Sequence, residues 1–146
     1  MHVNVLVKLL DNITLPKYAT AGSGAVDLQA NISRALRILP GAVKTVPTGL
    51  AVALPEGYGM FISSRSGLAI QHNIIVLNAP GLIDSDYRGE VRVVLKNTGD
   101  TVFFIHPGAR VAQAFLVQLP TIQWRVVQDL PDTDRGAGGF GHTGTA

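Results

Sequence analysis

The sequence predicts an all-β protein, a jelly-roll-like barrel or sandwich, and three observations carry that expectation. Apolar and β-branched residues come in short runs of period two or continuous character, turn signals separate the runs, and only one stretch has a helical pattern. Sixteen glycines and eight prolines supply the turns. A chain of 146 residues makes one domain, long enough to bury roughly 68–70% of the surface its unfolded form exposes.

The runs follow in order. Val3 to Leu9 alternates as a strand does, with no basic run before an apolar core, so neither a signal peptide nor a membrane span is expected. Ala25 to Ala30 and Arg37 to Leu39 come next, closed by Pro40-Gly41. Ala42 to Val46 and Leu50 to Leu54 read as two strands parted by Pro47-Thr48-Gly49, and Pro55-Glu56-Gly57 turns the chain into Gly59 to Ser63. Ser66 to His72 is the one helical stretch, about two turns long. Ile74 to Leu77, Val91 to Leu95, Thr101 to Ile105, Val111 to Leu119 and Gln123 to Gln128 complete the strands, with turns at Asn97 to Asp100 and at Pro107-Gly108. After Leu130 the character changes to a polar, then glycine-rich end. The expected organisation is therefore a β domain over residues 1–130 and a flexible C-terminal arm over 131–146.

Composition removes several function classes. Cysteine is absent, which excludes a disulfide framework, thiolate catalysis and thiolate-bound zinc, and fits a reducing, cytoplasmic setting. Twelve Lys and Arg against ten Asp and Glu leave a net charge of +2, and the basic residues are scattered, so a nucleic-acid partner is not expected. Only 15% of residues are charged against 47% apolar, below the charged share of about 25% in an average soluble domain. That imbalance points to surface hidden in an oligomer.

The densest chemistry lies in Gly81-Leu82-Ile83-Asp84-Ser85-Asp86-Tyr87-Arg88-Gly89-Glu90-Val91. Flanked by strands, it reads as a hairpin whose tip carries Asp84, Asp86 and Tyr87. A calcium loop fails, because its fifth position is Arg88 and its twelfth is Leu95. Two readings remain: a general base, Asp84, partly desolvated between Leu82-Ile83 and Tyr87, or a solvated aspartate-rich turn.

Four further groups stand out. Ser63-Ser64-Arg65-Ser66-Gly67 ends a strand and opens the helix, where free amides and Arg65 would attract phosphate, although Ser66 also reads as a plain N-cap. Gln113 interrupts an apolar strand and, if buried, needs partners, for which the backbone suffices. Asp27, among small apolar residues, suits a metal-bound water or an arginine partner, the ion pair being the plainer reading. The end, Arg135-Gly136-Ala137-Gly138-Gly139-Phe140-Gly141-His142-Thr143-Gly144, contains G-x-G-x-x-G but opens no helix, so a dinucleotide fold is excluded. Glycines to wrap an anion, Arg135, His142 and Thr143 to bind it, and Phe140 to stack on a base suit a nucleotide polyphosphate, against a plain tail. Four histidines without ligand spacing, and Gly22-Ser23-Gly24 without the nucleophile-elbow frame, leave covalent catalysis unsupported.

In this order, from about Ala19 to Gly144, the five segments resemble the five motifs of the homotrimeric deoxyuridine triphosphatase (dUTPase) family. The resemblance implies a β jelly roll, a homotrimer with sites at subunit interfaces, and Mg²⁺-dependent splitting of dUTP to dUMP and pyrophosphate, with water attacking the α-phosphorus. That reaction supplies dUMP for thymidylate synthesis and keeps uracil out of DNA. Asp84 would orient the attacking water. Asn78 and the stretch through Leu82 and Ile83 would hold uracil, and Tyr87 would pack on the deoxyribose and exclude a 2′-hydroxyl. Arg65, Ser66, Gly67 and Gln113 would contact phosphates, and Asp27 would reach Mg²⁺ through water. Phe140 would stack on uracil while Arg135, Gly141, His142 and Thr143 hold the β- and γ-phosphates, in an arm closing on a neighbour's site. Ala25-Val26 and Ser64 depart from the family's usual residues, Ser64 standing where proline often precedes the arginine. A dCTP-deaminating class of the same fold is less similar, since its catalytic glutamate has no counterpart within Val91 to Leu95. A trimeric binding protein without turnover is the other alternative.

Overall fold

The structure, a computed structural model, describes residues 2–140. Ten strands and one helix are assigned among them: β1 (Leu6–Leu9), β2 (Val26–Gln29), β3 (Leu36–Ile38), β4 (Val43–Ala53), β5 (Tyr58–Ser63), α1 (Ser66–His72), β6 (Ile74–Val76), β7 (Gly81–Ile83), β8 (Glu90–Asn97), β9 (Phe103–Ile105) and β10 (Arg110–Gln118). Two four-stranded antiparallel sheets, ordered β1-β4-β8-β6 and β2-β10-β5-β7, face each other, with the β3-β9 pair alongside. The all-β, jelly-roll-like expectation holds.

Period two is what makes the sandwich. Along β8, Val91, Val93, Leu95 and Asn97 point inward while the residues between them are more accessible. Val46, Val52 and Ile74 from the same sheet meet Leu28, Ile62, Val111 and Ala114 from the other in one core. Asn97 is the polar member of that row and is fully partnered: its amide donates to the carbonyls of Ile38 at 3.1 Å and Thr101 at 2.7 Å, and its Oδ1 accepts from the Gly99 N–H at 2.9 Å.

Three expectations are corrected. The two strands expected on either side of Pro47 are one strand, β4, whose pairing with β8 is irregular between Pro47 and Ala51; an irregularity is where a sheet tolerates proline. The strand expected at Gln123 to Gln128 is absent, and among the described residues no strand lies beside it to complete a ladder. Finally, Asp84 to Tyr87 is not a hairpin tip. β6 and β8 do pair, but the chain between them leaves for the other sheet as β7, which pairs with β5, and the acidic turn is the return crossing.

Candidate functional site

Strand register builds the first half of the site. Gln113 on β10 lies opposite Asp27 on one side and Ser63 on the other, so these three stand in one row across β2, β10 and β5. Just past β5, Arg65 reaches back and places its Nε 2.8 Å from Asp27 Oδ1, while Arg110 Nη1 lies 3.4 Å from Oδ2. Arg65 Nη1 also donates to the Arg110 carbonyl at 3.2 Å, and Gln113 Nε2 donates to the Ser64 carbonyl at 3.2 Å. The ion-pair reading of Asp27 and the backbone partner for Gln113 are thus both realised. A cleft of about 550 Å³ opens beside them, lined by Asp27, Gln113, Lys17, Ser23, Gly24 and Phe115. Lys17, Arg65 and Arg110 outnumber the single carboxylate, which suits a polyanion.

Ser66 and Gly67 open α1 exposed to solvent, as expected. Ser66 is not its N-cap, however. Arg65 occupies that position in extended geometry (φ −83°, ψ 127°) without a side-chain cap, since a guanidinium has no acceptor to offer; it donates to Asp27 instead. The first-turn amides are accordingly left uncapped by any side chain.

The second half of the site lies between β6 and β8. Gly81 is buried, and a Cβ there would come within 2.9 Å of Asn78 Nδ2, so the Asn78 amide sits close against the Gly81 backbone and would have to shift to admit a side chain. Asn78, Gly81, Leu82 and Ile83 border a small cavity of about 40 Å³. The turn that follows is held by its own backbone: the Tyr87 N–H donates to the Asp84 carbonyl at 3.2 Å, and Arg88 Nη1 donates to the carbonyls of Ser85 at 2.6 Å and Tyr87 at 2.9 Å. Asp84 is exposed, and the desolvation expected from Leu82, Ile83 and Tyr87 is not provided within one chain.

The two halves do not meet. β2 and β7 are the opposite edges of one sheet, three strand spacings or about 14 Å apart. Ile83 pairs with Met60, so Asp84 continues past Gly59, whereas the Asp27 row meets β5 at Ser63; four residues of strand add about 13 Å in the other direction. Asp27 and Asp84 therefore stand at diagonal corners, about 19 Å apart by these spacings. The C-terminal segment is separate again. Beyond β10 the residues to 140 form no strand, and Trp124 and Val126 are 84% and 96% exposed. Arg135 Nε donates to the Gly138 carbonyl at 2.9 Å within a local turn, and Phe140 is exposed. Gly141, His142 and Thr143 lie outside the described residues.

Residues 11–144 match the dUTPase family model. The chain belongs to the dUTPase family. Among its relatives, the deoxyuridine 5'-triphosphate nucleotidohydrolase of Chlamydia muridarum is 46% identical over 138 residues, covering 94% of this chain and 95% of the relative. That of Chlamydia pneumoniae is 50% identical over 133 residues, 90% and 92% of the two chains. Among solved structures, the Staphylococcus bacteriophage 80alpha dUTPase with dUPNHPP superposes with a TM-score of 0.88 at 23% identity, over 97% of this chain and 99% of that one. A mutant dUTPase of phage phi11 of S. aureus, described for its structural Mg(II) ion, gives 0.80 at 20% identity over 88% and 99%. These likenesses show the same fold.

Family membership makes the chain an enzyme of dUTP hydrolysis, and three residues the sequence reading left out of the site now have places in it. Arg110 shares Asp27 with Arg65, Lys17 borders the cleft, and Ser64 accepts the Gln113 amide. No local pattern marks Arg110, because it meets Asp27 only through the pairing of β10 with β2. The one signal available was charge, two isolated basic residues beside otherwise neutral segments.

Proposed function

We propose that the protein hydrolyses dUTP to dUMP and pyrophosphate as a homotrimer, each site assembled from the phosphate corner of one chain, the Asp84 corner of a second and a C-terminal arm. The diagonal separation of Asp27 and Asp84 carries this reading. A base must come within hydrogen-bond reach of the water it activates, about 3 Å, and a triphosphate spans only a few ångströms between its end phosphorus atoms. One chain does not bring its base to its own phosphate ligands; a closed ring of identical head-to-tail contacts does. The exposed apolar residues Ile122, Trp124, Val126 and Leu130 on the segment after β10 suit burial against another copy.

In the assembled site, Asn78, Leu82 and Ile83 hold uracil against the Gly81 backbone, and Tyr87 packs on the deoxyribose. Arg65, Ser66, Gly67 and Gln113 bind phosphate oxygens, with Arg65 released in part from Asp27 as the substrate's negative charge competes for it. Asp84 takes a proton from water as the water oxygen bonds to the α-phosphorus; the bond from that phosphorus to the bridging oxygen breaks, and pyrophosphate leaves. Over the closed site lie Phe140, on the base, and Arg135, Gly141, His142 and Thr143, on the β- and γ-phosphates. Residues 131–146 thus act as the arm of a domain spanning 1–130. Closure removes bulk water and strengthens every charge interaction inside.

The residues fit Mg²⁺ held through water. Among the described residues no group of three or more His, Asp or Glu forms a cage, and Asp27 offers one carboxylate, 27% exposed, at the cleft. Mg²⁺ keeps several waters and uses one or two carboxylates together with substrate phosphates. Asp27 and the triphosphate would hold the ion, which supplies neutralisation of phosphate charge.

Among the described residues no helix is long and apolar enough to cross a membrane. The role proposed for the reaction, in the cytoplasm, is to supply dUMP for thymidylate synthesis and to keep uracil out of DNA. The test is incubation with Mg²⁺ and each of dUTP, dTTP, dCTP and UTP, with products identified by ion-exchange chromatography. The expected products are dUMP and pyrophosphate, from dUTP alone. Formation of dUTP from dCTP would move the protein to the deaminating branch, and a trimer that forms no product would make it a binding protein.

A further inference from the structure

The start of β8 carries a clamp that the proposed chemistry leaves unexplained. Opposite it, β4 pairs through Pro47 with Arg92 and through Ala51 with Glu90, so Thr48, Gly49 and Leu50 fall outside the regular ladder. Side chains fill the gap. The Thr48 hydroxyl donates to the Val91 carbonyl, and the Gly49 N–H donates to Glu90 Oε1 at 2.9 Å. Glu90 Oε2 accepts from Arg92 Nε at 2.9 Å, so both carboxylate oxygens are engaged. Gly49 has φ +71°, and a Cβ on it would come within 2.8 Å of Asn31 Nδ2, so this bulge accepts only glycine.

Beyond the clamp, the backbone carbonyl of Glu90 accepts the Tyr87 hydroxyl at 3.0 Å. The phenol lies across Gly89, where an added Cβ would strike its oxygen and Cζ. Tyr87 is therefore seated from below by a residue without a side chain and latched at its tip by a residue whose own side chain is fixed to another strand. A wall that is to reject a substrate merely larger by one hydroxyl must hold its place, because a yielding apolar surface discriminates poorly.

We propose that Glu90 is a positioning residue: by anchoring the start of β8 to the β4 bulge, it fixes the latch on Tyr87 and so sets the exclusion of ribonucleotides. This rests on the reading that Tyr87 packs on the deoxyribose. It assigns discrimination to a residue whose side chain has no expected contact with substrate.

The experiment compares kcat/KM for dUTP and UTP in the native trimer, Glu90→Ala, Glu90→Gln, Tyr87→Phe and the Tyr87→Phe/Glu90→Ala pair. Glu90→Ala is expected to raise the UTP-to-dUTP ratio about tenfold. Glu90→Gln keeps an acceptor for the Gly49 N–H and should stay near the native ratio. With the latch already absent in Tyr87→Phe, adding Glu90→Ala should change the ratio no further. A folded Glu90→Ala with the native ratio overturns the proposal, as does a shift that persists undiminished in the Tyr87→Phe background. If Glu90→Ala does not fold, Gly89→Ala decides, since it pushes the ring off its seat directly; an unchanged ratio there overturns the proposal. Native protein that leaves dUTP intact would instead remove the underlying reading, a result distinct from normal dUTP turnover with an unmoved ratio.

Discussion

The two corners of the β2-β10-β5-β7 sheet are built on opposite plans. At the phosphate corner the chemistry is largely prepaired within the chain: Asp27 holds Arg65 and Arg110, and the Gln113 amide is taken by the Ser64 carbonyl. At the other corner only the scaffold is answered. The Tyr87 hydroxyl and the Arg88 guanidinium are spent on backbone carbonyls, while the Asp84 carboxylate stands exposed with no hydrogen bond from any described residue. A binding cluster can be prepaired, because an incoming polyanion displaces the carboxylate and inherits the cations. A base that were prepaired would have to be uncovered before it could accept a proton.

That contrast ranks the consequences of damage. Removing residues 135–146 has the largest expected effect, loss of turnover with no change in oligomer size by gel filtration. Residues 135–140 take no part in the sandwich core, whereas in the proposed site the arm supplies water exclusion and the contacts to the β- and γ-phosphates. An active truncation would show that the segment is a plain tail. Asp84→Asn comes next. Turnover should fall about 10²–10⁴ with the melting temperature and dUTP binding unchanged, since no contact of the fold is lost. Near-native turnover would sink the assignment of the base.

Much of this architecture was legible before any coordinates. The alternation of Val91, Val93 and Leu95 and the two-turn span of α1 are local signals, and they appear where expected. What escaped was whatever depends on a partner far away in sequence. Pro47 looks like a strand terminator until β8 is seen to tolerate an irregularity opposite it. β7 is three residues long and exists because β5 offers it an edge. The segment around Trp124 has strand-like alternation but no neighbour among the described residues to pair with. The site followed the same rule. Its individual segments could be read from residue types, whereas the pairing of Asp27 with Arg110 and the 83-residue gap it spans required the register of β2 against β10.

The smallest expected effect falls on the residue that ties the corners together. Ser64 accepts the Gln113 amide on its carbonyl and the Val76 N–H, at 2.8 Å, on its hydroxyl. Val76 ends β6, an edge strand that pairs only with β8 among the described residues, and its amide, turned to the free edge, would otherwise lack a partner. Ser64→Ala keeps the carbonyl and removes the hydroxyl. A half-buried amide left unpaired costs about 1 kcal/mol, seen as a fall of roughly 2–4 °C in melting temperature for a chain of this size. Activity separates the two functions of the residue. Because the backbone carbonyl persists, the phosphate corner should keep its KM. The chain from Val76 to Asn78 loses an anchor, so any change should appear as weaker discrimination between uracil and cytosine nucleotides. A raised KM with base selectivity intact would mean that the hydroxyl serves the phosphate side, and that the corners are independent.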